Sequence, residues 1–381
     1  MQNPLESSSP LTTHHSPWYF IGNLETVDSP ALVLYKDRVI ENIRLAITMV
    51  PDVSCLRPHV KTNKIAEVCQ LMLDAGITKF KCATIAEAEM LGMIKAPDVL
   101  LAYQPVGPKI QRLVKLMKAY PATRFSCVLD DAANAVKISA LMVENGLRLP
   151  VFIDLNVGMN RTGTAPAKAY ALFENCTFLP GLKPVGLHAY DGHIHDTDII
   201  VRKQKADAVF EQVTLTRHEI EAGLQRTCGI VISGTPGFPM HAQRLGVECS
   251  PGTFVFWDWG YKIMLPDEPF SFAALVITRV ISIIDEETIC VDLGHKSVAA
   301  ENPLPRVHFL NAPEAMAVSQ SEEHLVLRVT AGNKYRIGDA LYGVPFHICP
   351  TVALYEEAFV VEDYAVTAAW KVIARNRKIY V

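Results

Sequence analysis

The chain has 381 residues, 50% hydrophobic and 20% charged, enough material for two or three domains with a large core. Its formal net charge is −4 and no long basic run occurs, which argues against nucleic acid and anionic membranes as main partners. No apolar run approaches the length of a membrane span, and the nine cysteines are odd in number, scattered and without a CxxC pair, which fits a reducing cytoplasm rather than a disulfide scaffold.

The first 17 residues are polar, with Ser7-Ser8-Ser9 and His14-His15, and lack the apolar core of a signal peptide, so they read as a flexible start. Ala31–Tyr35 is apolar and strand-like after the breaker Asp28-Ser29-Pro30; Asp37 then reads as an N-cap, with Val39, Ile40, Ile43 and Ile47 following at helical spacing. From Arg57 onward strands and helices alternate. Strands are expected at 57–61, 78–82, 98–103, 124–129, 150–155, 184–190, 229–234 and 246–250, with helices at 65–75, 85–95, 108–119, 131–145 and 197–222. The gap from 235 to 245 is too short for a long helix. Eight strands with mostly helical crossovers predict an α/β chain built on a (β/α)8 TIM-type barrel; a doubly wound open sheet competes, but no GxGxxG fingerprint supports it. After about residue 265 helical periodicity fades. The run Phe272–Ile284 is rich in β-branched residues, and short strands are expected at 288–293, 324–329, 340–347, 358–361 and 368–380, giving a mostly β second domain.

Leu56-Arg57-Pro58-His59-Val60-Lys61-Thr62-Asn63-Lys64 reads as a short strand entering a helix near Ile65. Alternation along a strand points His59 and Lys61 the same way. A strand-end lysine whose pKa is lowered by burial can form a Schiff base with an aldehyde; one that reaches out to water is the ordinary alternative. Other expected strand ends carry Asp154-Leu155-Asn156-Val157-Gly158-Met159-Asn160-Arg161-Thr162-Gly163, then His188-Ala189-Tyr190-Asp191-Gly192-His193-Ile194-His195, then Ser233-Gly234-Thr235-Pro236-Gly237. In a barrel these ends form the active face. The amides of 233–237 could cradle a phosphate or simply form a Gly/Pro turn. His193 and His195 could be ligands, bases or loop histidines. In Pro345-Phe346-His347-Ile348-Cys349-Pro350, His347 and Cys349 share a face if the segment is extended. Such a pair could hold zinc in an open site completed by water or substrate, or be a buried thiol beside a satisfied histidine.

Taken together, Arg-Pro-His-Val-Lys-Thr-Asn-Lys (57–64), Asn-Val-Gly-Met-Asn-Arg-Thr-Gly (156–163), Ser-Gly-Thr-Pro (233–236) and His-Ile-Cys-Pro-Thr-Val (347–352) resemble the D-threonine aldolase and D-serine dehydratase group, fold-type III pyridoxal phosphate enzymes related to alanine racemase. The resemblance covers nearly the whole chain after residue 28. It implies a (β/α)8 barrel over 36–265 and a β domain combining 1–35 with 266–381. It further implies that Lys61 holds pyridoxal 5'-phosphate as a Schiff base, that Arg161 faces the cofactor's phenolic oxygen, that Tyr190 lies near its ring, and that Ser233, Gly234 and Thr235 bind its phosphate. His347 and Cys349 would bind a divalent metal touching the substrate's β-hydroxyl. The chain departs from the group at Asn63, where histidine is frequent, and in lacking a doubled glycine before Thr235. Its His-x-Cys pair is of the dehydratase kind, whereas aldolases show His-x-Asp.

The implied chemistry has two branches. The cofactor is an electron sink for negative charge at Cα. A metal on the β-hydroxyl can help it leave as hydroxide, giving keto acid and ammonia, with Lys61 as the base for the Cα proton. Alternatively it can acidify the hydroxyl, so that a base such as His193 or His59 promotes Cα–Cβ cleavage to glycine and an aldehyde. Cys349 favours zinc over harder ions such as manganese and inclines the expectation to dehydration of a D-β-hydroxy amino acid. The alternatives are D-threonine aldolase activity and amino acid racemisation. The resemblance also implies a homodimer.

Overall fold

The computed structural model describes residues 16–332 and 334–381; most of the polar start lies outside them. β1 (Ala31–Tyr35) runs straight into α1 (Lys36–Thr48). Tyr35 precedes the first turn, so Asp37 sits inside that turn rather than capping it. Then follow α2 (Ala66–Asp74), β2 (Lys79–Cys82), α3 (Ile85–Met93), β3 (Asp98–Leu101), α4 (Pro108–Ala119), β4 (Arg124–Leu129), α5 (Ala132–Glu144), β5 (Leu149–Leu155), α6 (Pro166–Thr177), β6 (Leu182–Ala189), α7 (Ile199–Leu224), β7 (Gly229–Ile232), α8 (Phe238–His241), β8 (Val247–Cys249) and α9 (Trp259–Met264).

The seven strands β2 to β8 form one parallel sheet in sequence order. The expected eighth strand, 57–61, is not a regular strand, because Pro58 has no N–H to give to a ladder. It nevertheless closes the ring. Leu56 bridges Cys249 of β8, and His59 bridges Lys81 of β2, both in parallel. Arg57 N donates to Cys249 O at 2.8 Å and Val60 N to Lys81 O at 2.9 Å. The barrel is therefore a (β/α)8 barrel whose seam is the segment leading to Lys61.

Its interior is filled by side chains. Leu100, Val128, Phe152 and Val231 form a buried layer drawn from β3, β4, β5 and β7. On β6, Gly186 leaves the room: a Cβ there would come within 2.3 Å of Gly229 O and 3.0 Å of the Phe152 ring. Below this layer Arg57, 2% exposed, donates to Asp98 and Glu248 at 2.5 and 2.6 Å, and Lys79 also pairs with Glu248.

The second sheet has nine strands, including β9 (Ala274–Asp285), β10 (Thr288–Val291), β11 (Val307–Phe309), β12 (Met316–Gln320), β13 (Leu325–Arg328), β14 (Ala340–Pro345), β15 (Glu357–Glu362) and β16 (Ala365–Lys371), with α10 (Ile348–Val352) between β14 and β15. The sequence reading missed β11 and β12. β12 is an edge strand of exposed or half-exposed residues, so its burial pattern is weak. β1 joins this sheet, parallel to β15 and antiparallel to β9, although α1 packs against the barrel.

Replacing Arg57 by alanine would strand two acidic partners under the barrel. Arg57→Ala should cost about 3 kcal/mol of folding stability, read as a lower urea midpoint at unchanged slope.

Candidate functional site

The carboxyl ends of the barrel strands surround a cavity of about 590 Å3 bordered by His59, Lys61, Asp130, Asp154 and Arg161. Lys61 follows the seam on a turn closed by Lys64 N donating to Val60 O at 3.0 Å, and it is half-buried. Its backbone N–H donates to His59 Nδ1 at 3.2 Å. Burial, then the nearby Lys61 and Lys81 charges, holds His59 well below its ordinary pKa and therefore neutral. With Nδ1 accepting, the ring proton is assigned to Nε2.

The centre of the mouth is Tyr190, just beyond β6. Arg161 Cζ lies 5.0 Å from its ring centroid, and the Nζ atoms of Lys61 and Lys81 each lie 5.9 Å away. Gly192 and Gly234 make room for it: a Cβ on either would fall 2.2 and 2.7 Å from ring carbons. Arg161 comes from an excursion after β5. Asn156 and Thr164 pair across its neck, and Asn156 Oδ1 accepts the N–H groups of Gly158 and Asn160 at 3.2 and 3.1 Å. Gly158 (φ +121°) and Gly163 (φ +97°) lie in the backbone region that favours glycine. His193 is exposed and stands over Gly158, where its Nε2 would be 2.5 Å from an added Cβ.

Ser233, Gly234 and Thr235 are buried after β7. Thr235 Oγ1 accepts the amides of Gly252 and Thr253 at 3.1 and 3.2 Å, stitching the loops after β7 and β8 together. The Gly234 and Thr235 amides give no hydrogen bond to a protein group among the described residues. Free amides beside three cations fit a phosphorylated ligand.

His347 and Cys349 reach this mouth from the β sheet. They are not on an extended segment: His347 precedes α10 and Cys349 lies in its first turn. Pro350 is tolerated there because a first-turn N–H has no helical partner. Cys349 Sγ lies 3.1 Å from Thr62 Oγ1, next to Lys61, and 3.5 Å from Thr253 Oγ1. His347 Nδ1 pairs with Glu301 Oε1. Burial pulls the His347 pKa down, but hydrogen bonds and charge from Cys349 and Glu301 outweigh it and raise it to about 9. Burial pushes the Cys349 thiol up, yet His347 and Lys61 leave it below its ordinary value. Each group thus favours the other's charged form, and with the shared proton removed the pair offers a nitrogen and a sulfur to a soft cation. With Nδ1 on Glu301, Nε2 is the atom left for a metal. Among the described residues no group of three or more His, Cys, Asp or Glu side chains is placed to hold a metal, so any ion here would take further ligands from water or substrate.

Under Tyr190 lie Lys81 and His241, which the sequence reading did not single out, and Asp154, His188 and Asp191, which it quoted at strand ends without giving them a role. Lys81 of β2 is 2% exposed, with Nζ 3.5 Å from His188 Nε2 and 3.5 Å from Ser233 O. His188 Nδ1 pairs with Asp154 Oδ1 at 2.7 Å across neighbouring strands. Behind them, Asp191 and His241 form a second buried pair at 2.9 Å. The available signal was a lysine between Phe80 and Cys82 in a strand expected to be apolar on both faces.

Residues 35–257 match the family described as "Alanine racemase, N-terminal domain", and residues 273–361 match "Putative serine dehydratase domain". The first match alone spans more than half of the chain, which therefore belongs to the alanine racemase-like barrel family. A D-threonine aldolase from Arthrobacter sp. is 29% identical over 93% of this chain and 94% of its own. A D-threo-3-hydroxyaspartate dehydratase from Delftia sp. (strain HT23) is 24% identical over 87% of this chain and 93% of its own. The crystal structure of D-threonine aldolase from Filomicrobium marinum matches with a TM-score of 0.85 at 26% identity, over 92% of this chain and 97% of the other. A cysteine-to-alanine variant of D-threo-3-hydroxyaspartate dehydratase, solved in the metal-free form, has the same fold at a TM-score of 0.77 and 21% identity, over 91% of this chain and 98% of the other.

Gly234→Ala would drive a methyl group against the Tyr190 ring. Overpacking of this kind costs about 1–3 kcal/mol, and any phosphorylated ligand held by the Gly234 and Thr235 amides should bind roughly tenfold more weakly, read by fluorescence titration.

Proposed function

We propose that this protein is a lyase that uses pyridoxal 5'-phosphate and a divalent metal to act on D-β-hydroxy amino acids, with elimination to keto acid and ammonia as its main reaction. The carrying observation is that Cys349, half of a soft His-x-Cys pair, touches Thr62 beside Lys61. Metal and cofactor residues would then meet over one small substrate. Zinc suits the thiolate, and manganese is the harder alternative. The reading places the protein in the cytoplasm as a homodimer.

When bound, the cofactor supplies a sink for charge at Cα and the metal supplies Lewis acidity at the β-oxygen. The chain does the rest. Lys61 carries the cofactor and, as a free amine, takes the Cα proton. Arg161 holds the phenolic oxygen, Tyr190 supports the ring, and Ser233, Gly234 and Thr235 hold the phosphate. His347 and Cys349 hold the metal, with Thr62 and Thr253 beside the sulfur. His59, protonated on Nε2, is a donor toward the cavity rather than a base, which leaves His193 as the base for the competing aldol cleavage. That second reading is favoured by the 29% identity to a D-threonine aldolase.

Borohydride reduction of the holoprotein should fix the cofactor on the peptide containing Lys61; a label on Lys64 alone would sink the cofactor assignment. Chelation should abolish turnover of D-serine and D-threonine while leaving the visible cofactor band. Cys349→Asp should tolerate manganese and raise the ratio of glycine plus aldehyde to keto acid. Full turnover after metal removal would move the reading to a racemase.

A further inference from the structure

The proposed reaction uses the first lysine of the seam motif and leaves the second without a task. Lys64 lies three residues after Lys61 and does not border the cavity. Its backbone is left-handed, with φ +53°, where a residue other than glycine is strained and persists only when its surroundings hold it. Three bonds hold it. Its N–H donates to Val60 O at 3.0 Å, and its carbonyl accepts Ala374 N at 3.2 Å. Its Nζ pairs with Glu87 Oε1, with the lysine side chain 15% exposed and the glutamate fully buried. One residue earlier, Asn63 Oδ1 accepts Ile65 N at 3.1 Å where the chain enters α2.

The groups that hold Lys64 are themselves anchored. Glu87 is on α3, and its second oxygen accepts at 2.6 Å the N–H of Ala83, a residue that borders the cavity. The Glu87 N–H donates to Thr84 Oγ1 at 3.1 Å, so the helix start and the carboxylate are fixed together. Lys64 is the only ion-pair partner of Glu87 among the described residues, and without that ammonium a fully buried carboxylate would have no countercharge. Two residues on, Glu89 is also fully buried and accepts Tyr380 N at 3.0 Å and Val381 N at 3.1 Å. The chain after β16 therefore lies against α3, and its turn Ile373–Arg375 supplies the Ala374 N–H that reaches Lys64 O. The turn after Lys61 is thus gripped from the barrel by a charge and from the end of the second domain by a backbone bond.

We propose that Lys64 is the positioning residue for the cofactor lysine: its ion pair with Glu87 holds the left-handed turn that aims Lys61 into the mouth. The assignment rests on the reading of Lys61 as the residue that carries the cofactor. Lysine has a long, flexible stem, so where its amine sits depends on how the backbone beneath it is held. Released from Glu87, residue 64 can relax toward the right-handed region that L-residues prefer, and the turn that carries Lys61 relaxes with it. A misplacement on the order of one ångström at a reacting group is enough to cost much of a rate. The same pair commits the Lys64 amine to a buried carboxylate, so of the two lysines in the motif only Lys61 is free to meet an aldehyde.

The test compares the holoproteins of the wild type, Lys64→Met, Glu87→Gln and the double variant. Three quantities are read: the melting temperature, the visible circular dichroism per bound cofactor, and the kinetics on D-serine or D-threonine, whichever turns over faster. Each single variant should lose visible dichroism, and kcat should fall roughly tenfold or more while KM stays within about threefold. The double variant should be no worse than the worse single one, because both changes remove one interaction. Wild-type dichroism and kcat in the single variants, with only the melting temperature lowered, would overturn the assignment and leave a merely stabilising ion pair. Additive losses in the double variant would overturn it too. A wild type that binds no cofactor, or that borohydride labels elsewhere than Lys61, would overturn the functional reading and this assignment with it. If these variants do not fold, Lys64→Asn decides, since asparagine tolerates the left-handed backbone and lacks the ammonium. Lost dichroism there supports the assignment, and unchanged dichroism ends it.

Discussion

The backbone hydrogen bonds of the seam, residues 56–60, are the constraint on which the rest depends. They join β8 on one side and β2 on the other, so barrel closure and the position of Lys61 are one event. Because Pro58 cannot donate, closure relies on a few specific bonds rather than a full ladder. Arg57 anchors the start of this segment below the core, and Thr62 anchors its end against Cys349. A side chain that must be placed to within a fraction of an ångström is thus held by backbone on both flanks and by a second sheet above.

The mouth concentrates positive charge. Lys61, Lys81 and Arg161 share the border of one aromatic ring, and Asp154 and Asp130 each turn one oxygen to a histidine or a backbone amide. Like charges at such separations repel unless an anion intervenes. The free amides of Gly234 and Thr235 add to that demand. Stability and ligand binding pull against each other here, and the buried pairs Asp154–His188 and Asp191–His241 hold the loops in place between them.

The barrel was legible because its helices and strands keep distinct periods and its loops carry clear breakers. Lys61, Arg161, Tyr190 and Ser233–Thr235 were visible as polar or glycine-rich strings at expected strand ends; the structure puts Lys61 and Arg161 on one cavity and beside the Tyr190 ring, with Gly234 packed against that ring. Lys81 was not, because it lies within a strand, where pattern reading expects core; His188 was quoted at a strand end, but nothing local shows that it pairs with Asp154. The His347–Cys349 pair was found by composition but given the wrong local geometry: alternation was assumed where a short helix begins. β12 hid because an edge strand with little burial has little pattern. The place of β1 in the second sheet came only from the resemblance, since nothing local in Ala31–Tyr35 names partners so distant.

That distance has a consequence for how the protein is made. β1 leaves the ribosome well before its neighbours β9 and β15, which lie far downstream, beyond the whole barrel. At ordinary elongation speeds, about 5–20 residues per second, β1 waits on the order of ten seconds or more for its first partner. All five of its residues are buried in the finished fold, so throughout that interval the nascent chain displays an unpaired apolar strand. The growing barrel can hold it close through α1, but only the strands that follow the barrel complete its pairing.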